Sequence, residues 1–275
     1  MGASLEASMS FKEFQAKVDH IVHDHPVVTS NAYTKWVATG QMTDEDVRDL
    51  TIQFSVFSHY FIEAQLLKVF NAQTLEQYHA GKEILMNELG VSFHTKGDAA
   101  SEADDPDKVP TEGTVNGGKY RHTAAHFEWL LRFAQPLGLG FNEIGKWKLG
   151  TKSTHHFCNA LKEWYGNPDP CVGAGASYAV ENWAAAGFWK ELIAGLEAYT
   201  KQSGKKLNLG FWHWHDMVED QHAEHTQDEL REDYDEAWFN EDDYVRGATH
   251  ILDAVKVFWD GLNESRIQRA QTVTA

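Results

Sequence analysis

The sequence predicts an all-α protein. Apolar residues recur at spacings of three and four along almost every segment, helix caps precede several of these segments, and no stretch shows the two-residue alternation of a half-buried strand. Thr43 followed by Asp44, Glu45 and Asp46 opens a helix over 44–71, since a hydroxyl cap and first-turn acids satisfy exposed N–H groups and oppose the helix dipole. Thr74 with Gln77 three residues on forms a capping box for a helix over 74–89, which Gly90 closes. Residues 91–118 break the pattern with Asp104, Asp105, Pro106, Pro110, Gly113, Gly117 and Gly118, and are expected to form a long surface loop. Further helices are predicted at about 119–135, 153–165, 173–200, 211–231 and 241–268. No internal repeat or inter-domain linker is evident, so residues 1–275 are expected to form one domain.

At 275 residues the chain can bury a full apolar core without a covalent staple. Its two cysteines, Cys158 and Cys171, suit neither a disulfide framework nor a zinc ribbon and are expected as core thiols. The first ten residues lack the basic start and apolar stretch of a leader, and no run approaches the roughly 18 apolar residues of a membrane span. A cytoplasmic protein with no membrane partner is expected. The formal net charge of -17 disfavours nucleic acid, whose phosphates need a basic stripe. Fifteen histidines beside 41 acidic residues make metal ligation the first chemistry to look for.

The sharpest motif is 211–226, Phe-Trp-His-Trp-His-Asp-Met-Val-Glu-Asp-Gln-His-Ala-Glu-His-Thr. At about 100° per residue His215, Glu219 and His222 fall within roughly 60° of one another, giving one helix face two imidazoles and a carboxylate. Asp216 and Asp220 turn away toward a solvated side, and His225 lies at the margin. The same spacing also occurs on exposed amphipathic faces, and three donors leave an iron unsaturated, so other helices must contribute. Glu181 sits in the alanine- and glycine-rich run 174–187, where an acid is expected to be buried and a cation beside it would offset the cost. The competing reading is a Glu paired with Arg or Lys at a helix surface. Glu88, ending the helix before the long loop, and His126, starting the next, bring the set to three carboxylates and three histidines, suited to two irons with open positions for dioxygen.

This pattern resembles the haem-oxygenase-like di-iron oxidases and oxygenases, a family that includes the undecene-forming fatty-acid decarboxylase, amino-acid-fragmenting and N-oxygenating enzymes, and a chlamydial para-aminobenzoate synthase. Glu88, His126, Glu181 and His215-x3-Glu219-x2-His222 stand where that family carries its ligands, over roughly residues 44–265. The family's usual Asp in the last motif is Glu219 here. Residues 91–118 separate Glu88 from His126, so His122 or His94 is an alternative to His126. The resemblance implies a single-domain haem-oxygenase-like helical bundle that binds two Fe(II) ions, bridged by Glu181, and uses dioxygen to oxidise a small amine- or carboxylate-bearing molecule by N-oxygenation, C–C cleavage or desaturation. Some N-oxygenating relatives carry one more carboxylate, which makes Glu63, on one face with His59, a possible seventh ligand; a buried polar pair is the alternative. A homodimer is expected. Trp183, Phe188, Trp212 and Trp214 are candidates for the pocket wall or for plain core. Competing functions are a thiaminase-like enzyme with a Cys nucleophile or a cofactorless quinone-biosynthesis oxidase of the same fold, and a non-enzymatic iron-binding protein.

Overall fold

The computed structural model describes residues 10–91 and 124–273, without the side chains of 219–222 and 273. Every regular element among them is a helix. Three helices precede the first expected one: α1 (Phe11–His23), α2 (Pro26–Thr29) and α3 (Ala32–Ala38). Then come α4 (Asp44–Asn71), α5 (Leu75–Glu88), α6 (His126–Ala134), α7 (Lys152–Ala160), α8 (Pro170–Ala185), α9 (Phe188–Ser203), α10 (Gly210–Asp233) and α11 (Glu241–Val273). None of the described helices is long and apolar enough to cross a membrane.

The capping chemistry acts where the sequence places it. Thr43 Oγ1 accepts from the Asp46 N–H at 3.2 Å and the Asp46 carboxylate accepts from the Thr43 N–H at 3.0 Å, which fixes the start of α4. Thr74 Oγ1 accepts from the Gln77 N–H at 3.1 Å, and Gly90, at φ 70°, ends the second helix in a left-handed turn. Most of the expected loop, 92–118, lies outside the described residues, as do His94 and His122. The expected helix 153–165 is α7 continued by a π turn over Leu161–Tyr165, in which the Gly166 N–H reaches back five residues to the Leu161 carbonyl at 3.0 Å.

One expectation is corrected. The single helix over 173–200 is two helices, α8 and α9, because Gly187 takes φ 99°, a left-handed conformation that cannot continue an α-helix. The bend lets α9 pack on α3 while α8 runs through the centre between α10 and α11. Residues 175–184 of α8 are all buried, as expected of a helix apolar on every side. Small residues make this possible: a Cβ on Gly175 would stand 2.0 Å from the Tyr244 carbonyl oxygen of α11, and one on Gly247 of α11 would stand 2.0 Å from the Val172 carbonyl oxygen of α8. Cys158 and Cys171 are buried free thiols, as the composition suggests.

The end of α10 is tied to α5 through Asp233, whose Oδ1 accepts from Gln77 Nε2 at 2.9 Å. Burial, then the charge of Glu229, push the Asp233 carboxyl up to about 6. Its ordinary value is 3.8, so between these limits the folded state holds a proton that the unfolded chain has released, and stability falls as pH rises through that window. Asp233→Asn, which mimics the protonated acid, is expected to be about 1–2 kcal/mol more stable than the parent at pH 8, with the gap closing toward pH 4. Thermal melts across that range check it; a gap that widens at low pH would refute the assignment.

Candidate metal centre

Four of the six expected ligands converge from four helices. Glu88 is the last residue of α5 and His126 the first of α6, so each stands where a helix end meets the interior. Glu181 lies in the buried stretch of α8, and His215 one turn into α10. Together they line one cavity. His126 and Glu181 are 4% and 8% exposed, so neither is a surface group; the surface-pair reading of Glu181 is set aside.

Two pairs among them, Glu88 with His126 and His126 with His215, are close. His126 Nδ1 lies 2.8 Å from Glu88 Oε2, yet neither ring nitrogen of His126 makes an aligned hydrogen bond. The His126 and His215 rings are 4.9 Å apart, edge to face. His215 Nδ1 donates to the Phe211 carbonyl at 2.7 Å, since a carbonyl oxygen can only accept. Trp189 stacks on the same ring at 4.8 Å, which holds its plane. Among the described residues no group of three or more His, Cys, Asp or Glu side chains is drawn together as a metal cage. Glu219 and His222 follow His215 along α10, but their side chains lie outside the described residues.

Three of the four donors, Glu88, His126 and Glu181, stand between two chambers, and His215 lines the first alone. One, of about 90 Å³, is walled by aromatic and aliphatic side chains of α4, α8, α9 and α10, among them Phe54, Phe61, Trp183 and Trp189. The other, the polar chamber, of about 490 Å³, has the charged and polar side chains of Lys68, His79, Glu83, Ser177 and His225 set among apolar surface. Ile84, Glu88, His126, Glu181 and Trp214 belong to both walls. Of the four aromatics expected near the pocket, Trp183, Phe188 and Trp214 line the apolar chamber, whereas Trp212 is fully buried core.

Glu63, the possible seventh ligand, lies away from the four donors' cavity. Its carboxylate is half exposed and pairs with Lys162 at 3.1 Å, and it lines neither chamber. Phe54, Phe61 and Gln65 occupy the cavity-facing stripe of α4, and Glu63 is turned out of that stripe by the helical repeat. His59 is not its buried partner either, since its ring packs on Phe127 at 4.5 Å.

Lys68 and Gln65 were not anticipated. Lys68 Nζ donates to Ser177 Oγ at 3.0 Å and to Glu229 at 3.2 Å, and lies 5.8 Å from the centre of the Tyr165 ring. Burial alone would pull its ammonium down, but Glu229 beside it holds it above the usual lysine range. Burial likewise opposes the charge on Glu229, which Lys68 and then His225 overcome, leaving that carboxyl at about 2. A lysine inside the apolar run 54–70 was the legible sign of this pair.

No family model matches the chain, and no curated protein does. Solved structures do. A CADD-like protein of unknown function from Nostoc punctiforme superposes with a TM-score of 0.61 at 13% identity, covering 95% of this chain and 98% of that one. A domain of unknown function with a heme oxygenase-like fold, from Shewanella denitrificans, gives 0.59 at 14% identity, covering 94% of each. At such identities the likeness speaks for the fold alone. The chain is a helical protein of the haem-oxygenase-like fold.

Proposed function

We propose that the chain is a non-haem oxidase or oxygenase that holds two iron ions and uses dioxygen to oxidise a small amine- or carboxylate-bearing molecule. What supports this reading above all is the unaligned 2.8 Å approach of His126 Nδ1 to Glu88 Oε2, beside Glu181 and His215 on one buried wall. Two ligand atoms each about 2.1 Å from one metal and at right angles to each other stand about 3 Å apart, without any hydrogen bond between them. The donor set of carboxylates and imidazoles also suits iron better than a softer metal. Bound there, two Fe(II) ions would supply electrons and open coordination positions for dioxygen.

The chain's own residues account for the remaining requirements. Glu88, His126, Glu181 and His215 would hold the ions, with Glu219 and His222 completing the set. The Phe211 carbonyl fixes the tautomer of His215, and the rings of Trp189, Phe211 and Trp214 keep water from one side of it. Lys68, held by Glu229, sets a buried cation on the polar chamber, where it would orient a carboxylate-bearing substrate. Without Glu63 near the cluster, the argument for N-oxygenation over C–C cleavage or desaturation falls away.

A thiol mechanism is less well supported. Burial pushes the Cys158 and Cys171 thiols up to about 12 and about 11, and neither lines a chamber, so a thiolate nucleophile has no footing. Protein loaded anaerobically with Fe(II) and exposed to oxygen with panels of amino acids and fatty acids is expected to consume oxygen faster with its substrate, giving a product detectable by mass spectrometry. Oxygen uptake unchanged by every substrate, with iron merely oxidised and stored, would favour an iron-binding protein.

A further inference from the structure

Apart from the acids and histidines of the proposed centre and Ser58, the apolar chamber carries one amide side chain, which a hydrocarbon wall would not call for. Gln65 of α4 is 0% exposed, lines the chamber, and has no hydrogen-bond partner for either its Oε1 or its Nε2. Trp183 and Trp189 line the same space, are 4% and 5% exposed, and also leave their indole N–H groups without a partner. Buried amides and indoles are ordinarily satisfied, so several unmet donors and an acceptor around one cavity point to a bound group that supplies the complement.

The chemistry of that group follows from the wall. Beyond the acids and histidines at the shared end, its residues are aromatic, aliphatic or uncharged, and Lys68 lies on the other chamber, engaged by Ser177 and Glu229. A charged group seated against Gln65 would lose its hydration without meeting an opposite charge. The Gln65 amide offers both a donor and an acceptor, so its complement must accept and donate. A chamber of about 90 Å³ is roomier than a single water needs and admits a small organic group.

We infer that Gln65 is a specificity-determining residue whose amide receives an uncharged group that both donates and accepts a hydrogen bond, a carboxamide being the simplest, carried on an otherwise apolar end of the substrate. This rests on reading the chamber as substrate space beside the proposed centre. Any charged amine or carboxylate of the substrate then lies toward the polar chamber, and Gln65 sorts substrates by their uncharged end.

The test uses three probes of six non-hydrogen atoms each and nearly one shape: isobutyramide, which donates and accepts; 3-methyl-2-butanone, which accepts only; and isobutyrate, which is charged. Binding to the full, metal-free chain is measured by ligand-observed NMR, so that failure of iron chemistry and failure of this assignment are read separately. Isobutyramide is expected to bind at least threefold tighter than the ketone and at least tenfold tighter than isobutyrate. In Gln65→Leu the preference over the ketone disappears, and Gln65→Met serves as a second, unbranched replacement, each checked for folding by its melt. Equal binding of amide and ketone to the parent, a preference that survives both substitutions, or isobutyrate binding most tightly would each overturn the assignment.

Discussion

Glu181→Gln is expected to leave the metal-free protein folded, with a Tm within about 4 °C of the parent, while weakening metal uptake by at least a hundredfold. The amide keeps the size and hydrogen-bonding reach of the carboxylate, so the packing of α8 between α10 and α11 has no reason to change. What it removes is the negative charge and the hard anionic oxygen that a divalent ion requires. Loss of partners around a metal already costs ten- to a hundredfold in affinity, and loss of a ligand costs more. Metal titration beside a thermal melt separates the two effects. A variant that takes up metal as tightly as the parent would make Glu181 an ordinary buried acid, satisfied by its protein neighbours.

A second large effect is expected far from any chemistry. Gly175→Ala would drive a methyl group to 2.0 Å from the Tyr244 carbonyl oxygen and 2.7 Å from its carbonyl carbon, both backbone atoms of α11 that cannot rotate away. Relief requires α8 and α11 to separate, and the reciprocal contact of Gly247 with Val172 lies in the same crossing. A loss of about 3–5 kcal/mol is expected, a Tm fall of roughly 10 °C for a chain of this size. Circular dichroism melts decide it; an unchanged Tm would show that the crossing is looser than described. Because Glu181 shares α8, a weakened crossing should also lower metal affinity, in contrast to Glu181→Gln, which lowers affinity alone.

Local signals in the sequence carried most of the architecture. Thr43 with Asp46 and Thr74 with Gln77 mark helix starts through hydrogen bonds among neighbours in sequence, and these appear in the structure at the expected residues. Glu181 was legible as a buried acid because mostly small and apolar residues surround it in the chain. Helix α1 was also within reach and was missed: Ser10 and Glu13 make a capping box, and Phe14, Val18 and Val22 repeat every four residues on its buried face. The break at Gly187 was not legible, since a helix tolerates an isolated glycine and only tertiary packing decides whether it turns left-handed. Glu63 misled for a related reason. Apolar neighbours show that a helix is largely buried, but the orientation of one residue is set by partners remote in sequence, here Lys162. The lysine in the apolar run hinted at a buried charge, but that Glu229 meets it, and that Gln65 faces a chamber, are likewise set by segments distant in sequence.

The most direct test of the central claim is an anaerobic Fe(II) titration of the full chain, with bound metal counted after removal of excess, for the parent, His126→Ala and His215→Ala. Two Fe(II) per chain are expected in the parent and at most one in each variant, with melts showing that both variants remain folded. A parent that retains no iron, or variants that retain two ions as tightly as the parent, would contradict the account.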